Sequence, residues 1–222
     1  MKPVSLACPH CEQSVLPAAA ACPGCGLTLA DLDKQFGEDC VVLDRVTDAA
    51  HVLRLSEKDA VMDAVEQFER AFPQLFLALY LGNLPAGISP KAFGFWLLNR
   101  AAVTAVDFLR PNENGSLVIV DVQARTLVVT LGYYLESVVA EKELTRLLRR
   151  ATALLRNQEI GGGLVRLVHD FSKLLERKAQ RRENRKRFSP SVFGEVEMLP
   201  RLNGQRRRAS DFGSPTRDER QP

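Results

Sequence analysis

Apolar residues change their period along this chain, and each change marks an element. Between Ser116 and Glu136, two runs rich in β-branched residues, Leu117-Val118-Ile119-Val120 and Leu127-Val128-Val129, flank a polar stretch from Gln123 to Arg125. Such runs bounded by Gly and polar residues favour strands, so a hairpin is predicted. Gly132 then ends the second strand and lets the chain turn into a helix. Gln74 to Tyr80 is nearly continuous apolar sequence, which predicts a strand buried on both faces. Helical spacing governs Val61, Ala64, Val65, Phe68 and Phe72, with Ser56-Glu57-Lys58-Asp59 as the predicted cap and Pro73 as the stop. Ser89-Pro90 starts another helix, with Phe93, Trp96 and Leu97 on one stripe. That stripe is read as core rather than as a ligand box.

From Glu136 onward, Val138, Val139, Leu144, Leu147, Leu148, Ala151, Leu154 and Leu155 predict one long amphipathic helix. Arg146, Arg149 and Arg150 form its solvated face. Gly161-Gly162-Gly163 breaks the pattern as a helix–helix turn. A last helix follows, with Leu164, Leu167, Val168, Phe171, Leu174 and Leu175 inward. Helices alternating with strands predict an α/β sandwich: a mixed sheet of about four strands with helices on both faces.

Charge divides the chain unevenly. Residues 177–222 hold 13 Lys and Arg against 6 Asp and Glu, a net of +7, while residues 1–176 carry 17 against 21, a net of −4. The basic segment, dense from Arg177 to Arg187 and rich in Pro, Gly, Ser and Arg after Ser189, is expected to be largely disordered. Arg181, Arg182, Arg185, Lys186 and Arg187 could contact nucleic acid or an anionic membrane surface; a solvated tail is the plainer reading. Arg206-Arg207-Arg208-Ala209-Ser210 matches a basophilic kinase target, a pattern that recurs by chance. No run reaches the roughly 18 apolar residues of a membrane span. The start lacks the apolar core of a secretory signal, so a cytoplasmic address is expected.

Cys8-Pro9-His10-Cys11 and Cys22-Pro23-Gly24-Cys25-Gly26 are two Cys-x-x-Cys knuckles ten residues apart. Two such pairs can close a tetrahedron of thiolates around zinc, with sulfurs near 2.3 Å from the metal. Two disulfides or a dithiol redox site are the alternatives; an intracellular address disfavours the first and the pairing of knuckles the second. All four ligands would come from the protein, which makes the site structural rather than catalytic. His10 is expected to face solvent. Cys40 is left over and is read as a small buried hydrophobe.

Asn114-Gly115-Ser116-Leu117-Val118-Ile119-Val120 followed by Gly132-Tyr133-Tyr134-Leu135-Glu136 resembles the TPM domain family, which includes thylakoid-lumen proteins of photosystem II repair. Val46-Thr47-Asp48-Ala49-Ala50 is similar to the Val-x-Asp-x-Ala segment of that family, and the resemblance runs from about Val41 to Leu175. Glu113 stands where the family has Asp, and Tyr134 replaces a Gly. The resemblance implies a weak acid phosphatase activity or a bound calcium ion, placed by correspondence at Asp48, Glu113, Asn114 and Glu136. It also resembles, at the front, the short zinc ribbons fused to other bacterial domains.

The expected organisation is a zinc ribbon at 1–27, a linker at 28–39, a TPM-like domain at 40–176 and the basic tail at 177–222. No Gly-x-Ser-x-Gly, His-Glu-x-x-His or nucleotide-binding loop is present. A non-catalytic accessory protein with a protein partner is the leading expectation. A metal-dependent acid phosphatase follows, and then a nucleic-acid-associated protein using ribbon and tail.

Overall fold

The computed structural model describes residues 6–16, 19–38, 41–103, 114–156 and 159–188. Cys40, Glu113 and everything after Phe188 lie outside the described residues, including the kinase-like motif. At the front, β1 (Leu6–Ala7) and β2 (Ser14–Val15) form a small antiparallel pair. Helix α1 (Leu29–Phe36) follows in the stretch expected to be a short helix or linker. Thr28 and Asp31 form a capping box there: the Asp31 N–H donates to Thr28 Oγ1 at 3.1 Å and the Thr28 N–H to Asp31 Oδ2 at 3.1 Å. Leu32 and Asp33 are buried, so α1 is packed rather than free.

The body alternates strands and helices: β3 (Val41–Leu43), β4 (Val46–Asp48), α2 (Leu55–Ala71), β5 (Phe76–Gly82), α3 (Pro90–Arg100), β6 (Ala101–Val103), β7 (Gly115–Asp121), β8 (Thr126–Leu131), α4 (Tyr133–Val138), α5 (Glu141–Arg156) and α6 (Ile160–Phe188). The main sheet has the order β4-β5-β7-β8. Its first three strands are parallel, and the β7–β8 hairpin is antiparallel, with Val118 opposite Val129. This is the mixed four-stranded sheet that the pattern predicts. A separate parallel pair joins β3 to β6.

Alternation along each strand sends residues to two cores. Leu77, Leu79, Leu81, Val118 and Val120 face α2, α5 and α6, where Phe68 and Phe171 stack with ring centroids 5.6 Å apart. Phe76, Ala78, Leu117 and Ile119 face α1 and α3, around Trp96 and Leu97. Phe93 packs against Phe36 and Tyr80, so the aromatic stripe of α3 is core. Because both faces are covered, β5 is buried almost throughout.

Four expectations are corrected. Helix α2 starts at Leu55, so Ser56 lies in its first turn and does not cap it; the Glu57 carboxylate instead accepts the Arg54 N–H at 2.9 Å. The single long helix after Glu136 is two, α4 and α5. The break falls at Val139-Ala140, where the Ala140 N–H donates to Glu143 Oε2 at 3.1 Å. Gly161-Gly162-Gly163 is no turn but the first helical turn of α6. A Cβ on Gly161 would lie 2.6 Å from Glu57 Cβ, and one on Gly163 3.3 Å from Leu154 Cβ, so these glycines let α6 approach α2 and α5 closely. Finally, the first part of the basic segment is helical, since α6 runs to Phe188.

Candidate functional site

The two cysteine knuckles fold the same way. The Cys8 N–H donates to the Gln13 carbonyl and the Glu12 N–H to the Cys8 carbonyl; the Cys22 N–H donates to the Leu27 carbonyl and the Gly26 N–H to the Cys22 carbonyl, all four at 2.9 Å. The residue after each second cysteine is left-handed, Glu12 at φ 61° and Gly26 at φ 75°. Each knuckle is thereby wrapped so that its two sulfurs point at the other knuckle. Cys8 Sγ lies 3.7 Å from Cys25 Sγ and Cys11 Sγ 3.5 Å from Cys22 Sγ, and all four ligand atoms fall within 4.8 Å of one another.

These distances exceed the roughly 2.05 Å of a disulfide bond. They fit a tetrahedral metal site, for which sulfurs about 2.3 Å from a metal would stand about 3.8 Å apart. The electrostatics agree with four thiols that need a cation between them. The N–H groups of Cys25 and Gly24 lower Cys22 to about 6. At Cys25 the Leu27 N–H favours the thiolate, but desolvation and the three neighbouring sulfurs outweigh it and push the thiol up to about 12. Cys8 and Cys22 are buried, Cys11 and Cys25 exposed, and exposed His10 is not in the cluster. The four cysteines could therefore hold a metal ion.

Glu113 lies outside the described residues, and the other three residues assigned by resemblance do not gather in one place. Asp48 ends β4, where it pairs with Leu81, and Leu81 pairs with Val120 near the end of β7. Asn114 immediately precedes β7, six residues back from Val120, or about 20 Å along the sheet. Asp48 is moreover occupied: its two oxygens accept the Val52 and Leu53 N–H groups at 3.2 and 2.8 Å. Asn114 and Glu136 do share one end of the sheet, since the Gly132 N–H donates to the Gly115 carbonyl at 2.8 Å and Glu136 follows one turn later. Calcium takes six to eight oxygens at about 2.3–2.6 Å. Asp48 cannot join such a shell with Asn114, and among the described residues the four cysteines form the only cluster of three or more potential ligands. Among the described residues, Asp48, Asn114 and Glu136 do not converge on a shared calcium shell.

Glu136 sits in a cleft of about 450 Å³ between the ribbon and the body. The cleft follows β8, the outermost strand of the sheet, with Phe95 of α3 on one side and Leu144 and Leu148 of α5 on the other. Cys8 and Glu12 of the ribbon close it, and Glu12 forms an ion pair with Lys91 of α3. Desolvation pushes the Glu136 carboxyl up to about 7. Sequence reasoning found Glu136 only through the family motif and missed Lys91 and Glu12. Their pairing across 79 positions has no local signature. On another face of α5, Arg146 and Arg150, read from periodicity as solvated, line a second cleft between α5 and α6 together with Arg181.

Comparison with known proteins gives one family: the model described as the TPM domain matches residues 46–174. No curated protein matches the chain. Three solution structures are similar in chain path. They are the N-terminal domain of the cg2496 protein from Corynebacterium glutamicum (15% identity, 59% of this chain and 78% of that one, TM-score 0.46), the N-terminal domain of a protein from P. gingivalis (19%, 61% and 84%, 0.46) and the BA42 protein from the psychrophilic bacterium Bizionia argentinensis (17%, 57% and 83%, 0.49). No helix among the described residues is long and apolar enough to cross a membrane.

Proposed function

The chain belongs to the TPM domain family, and from that premise we propose that it is a non-catalytic accessory protein that binds a protein partner and carries a structural zinc ribbon. The observation behind this reading is the placement of the described residues assigned by resemblance: Asp48 serves the backbone at one end of the sheet, while Asn114 and Glu136 stand at the other. Zinc is the metal that suits four thiolates supplied entirely by the protein, because it takes tetrahedral sulfur coordination without redox demands. A site with four protein ligands leaves no position for a reacting water, so the ribbon would hold shape rather than perform chemistry. A cytoplasmic address is part of the same proposal, since reduced thiols there remain available to metal.

Elemental analysis of the full-length protein, paired with an aryl phosphate assay, tests it. The expected result is one zinc per chain, lost in a Cys8→Ser, Cys22→Ser variant, and hydrolysis no faster than that of a Glu113→Ala, Glu136→Ala variant. Protein purified without zinc would remove the ribbon from the proposal. Metal-stimulated hydrolysis that disappears with Glu136 would replace it with the second reading, a weak acid phosphatase. Glu136 itself favours that reading, because a carboxyl that titrates near neutrality beside a cleft can donate a proton to a leaving group.

A further inference from the structure

Helices α5 and α6 form an antiparallel hairpin in which Glu143 pairs with Lys178 and Arg150 stands 3.8 Å from Asp170. Between them runs a cleft of about 540 Å³ lined by seven Lys and Arg side chains and three carboxylates. Two of those carboxylates are already engaged: Glu143 by Lys178, and Asp170 by Arg150 and Arg166. Arg146, Lys173 and Arg177 form no ion pair among the described residues, and Arg181 adds to the positive field on Glu143, so positive charge outweighs negative in the cleft. On α6, positions 173, 177 and 181 succeed one another by four residues, about 6 Å along the helix. This puts a row of cations along one wall, with Arg146 and Arg150 on the other.

The hairpin is also unequal in length. Because Glu143 meets Lys178, the start of α5 at Glu141 lies opposite about residue 180. Helix α6 continues to Phe188 beyond it, an overhang of eight residues, about 12 Å. That overhang reads Arg181-Arg182-Glu183-Asn184-Arg185-Lys186-Arg187-Phe188, with five cations and one acid.

We propose that the α5–α6 cleft is a binding surface for the phosphate backbone of a nucleic acid, gripped without reading its sequence and leading into the basic sequence 181–188. The contact assigned from sequence to the ribbon and the basic tail would thereby gain a wall built into the folded body. The chemistry of the surface selects this ligand. A helix lying in a membrane surface needs an exposed apolar face. Among the residues whose side chains are described, the exposed large apolar ones are Leu16, Val42, Leu55 and Tyr134, none of them on α5 or on α6 up to Arg181. No aromatic residue lines the cleft, so there is no platform on which bases could stack. What remains is regularly spaced positive charge, which positions a backbone and carries no base information.

Fluorescence anisotropy of the full-length protein with a labelled DNA duplex of about 20 base pairs, titrated across salt, tests the surface. Four or five phosphates neutralised should give a log–log salt slope of about −4, at about 0.9 per phosphate. Arg146→Glu with Lys173→Glu should weaken binding by about tenfold or more and flatten the slope by about two. Arg149→Glu, on the same helix but outside the cleft, should weaken it far less. Four results would overturn the proposal. One is no binding at about 50 mM salt. Another is equal losses from Arg149→Glu and from either cleft substitution alone, or no loss from the pair, which would leave the tail as the only contact. Preference for phosphatidylglycerol vesicles over the duplex would assign the surface to membrane. Displacement of the duplex by polyglutamate at equal charge would assign it to an acidic protein.

Discussion

Glu136 is the side chain of the body whose chemistry its surroundings change most. Burial raises its carboxyl from 4.5 to about 7. Between those values the folded protein holds a proton that the unfolded chain has released, so this group's contribution to stability is complete below about 4.5 and is lost as pH rises towards 7. Asp33 acts in the opposite sense. The Arg100 guanidinium, helped by the Trp96 N–H at 3.1 Å, holds its carboxyl below the usual range, so its contribution is lost as pH falls. Replacing Glu136 by Gln should therefore flatten the decline in denaturant midpoint between about pH 5 and pH 8. Parallel pH profiles for the two proteins would show that Glu136 is hydrated like any surface carboxylate.

At the scale of elements, closeness of packing decides more than propensity does. Gly94 lets α3 settle on the sheet: a Cβ there would stand 2.5 Å from Thr130 Oγ1 and 3.2 Å from Ile119 Cγ1. Gly94→Ala improves helix propensity yet should destabilise the protein by about 1–3 kcal/mol through overpacking. Adding Thr130→Ala removes the nearest atom and should recover part of that loss; additive effects in a double-mutant cycle would refute the contact. The sequence makes the β7–β8 hairpin legible because its strands and turn are contiguous and the β-branched runs announce themselves. The two-helix break at Val139-Ala140 is hidden, since Val138, Val139 and Leu144 keep a helical rhythm across it. The glycines of α6 mislead for the opposite reason: the same residue that loosens a backbone also admits a neighbour, and only the tertiary partner, Glu57, tells which use applies. Asp48 could be placed on a strand from sequence. Which end of the sheet it occupies depends on strand order, which no local pattern contains.

For the molecule as a whole, the cysteine site and the sheet are separate cores joined through α1, α3 and the Glu12–Lys91 pair. Asp33 and Arg100 brace α1 to α3, and Asp33 is buried while Lys91 and Glu12 are exposed. An exposed pair is worth about 0–1 kcal/mol, so stripping the metal with a chelator should collapse the knuckles while the body unfolds at nearly the same midpoint. Near-ultraviolet circular dichroism of Trp96, which lies in the body core, would stay unchanged; its loss on chelation would show that the two cores fold as one. Glycine serves the left-handed turn of the second knuckle at Gly26, but the first assigns the same strained geometry to Glu12. The repeat is thus asymmetric: the second knuckle keeps glycine at its left-handed position, while the first places there a side chain that reaches Lys91 of the body.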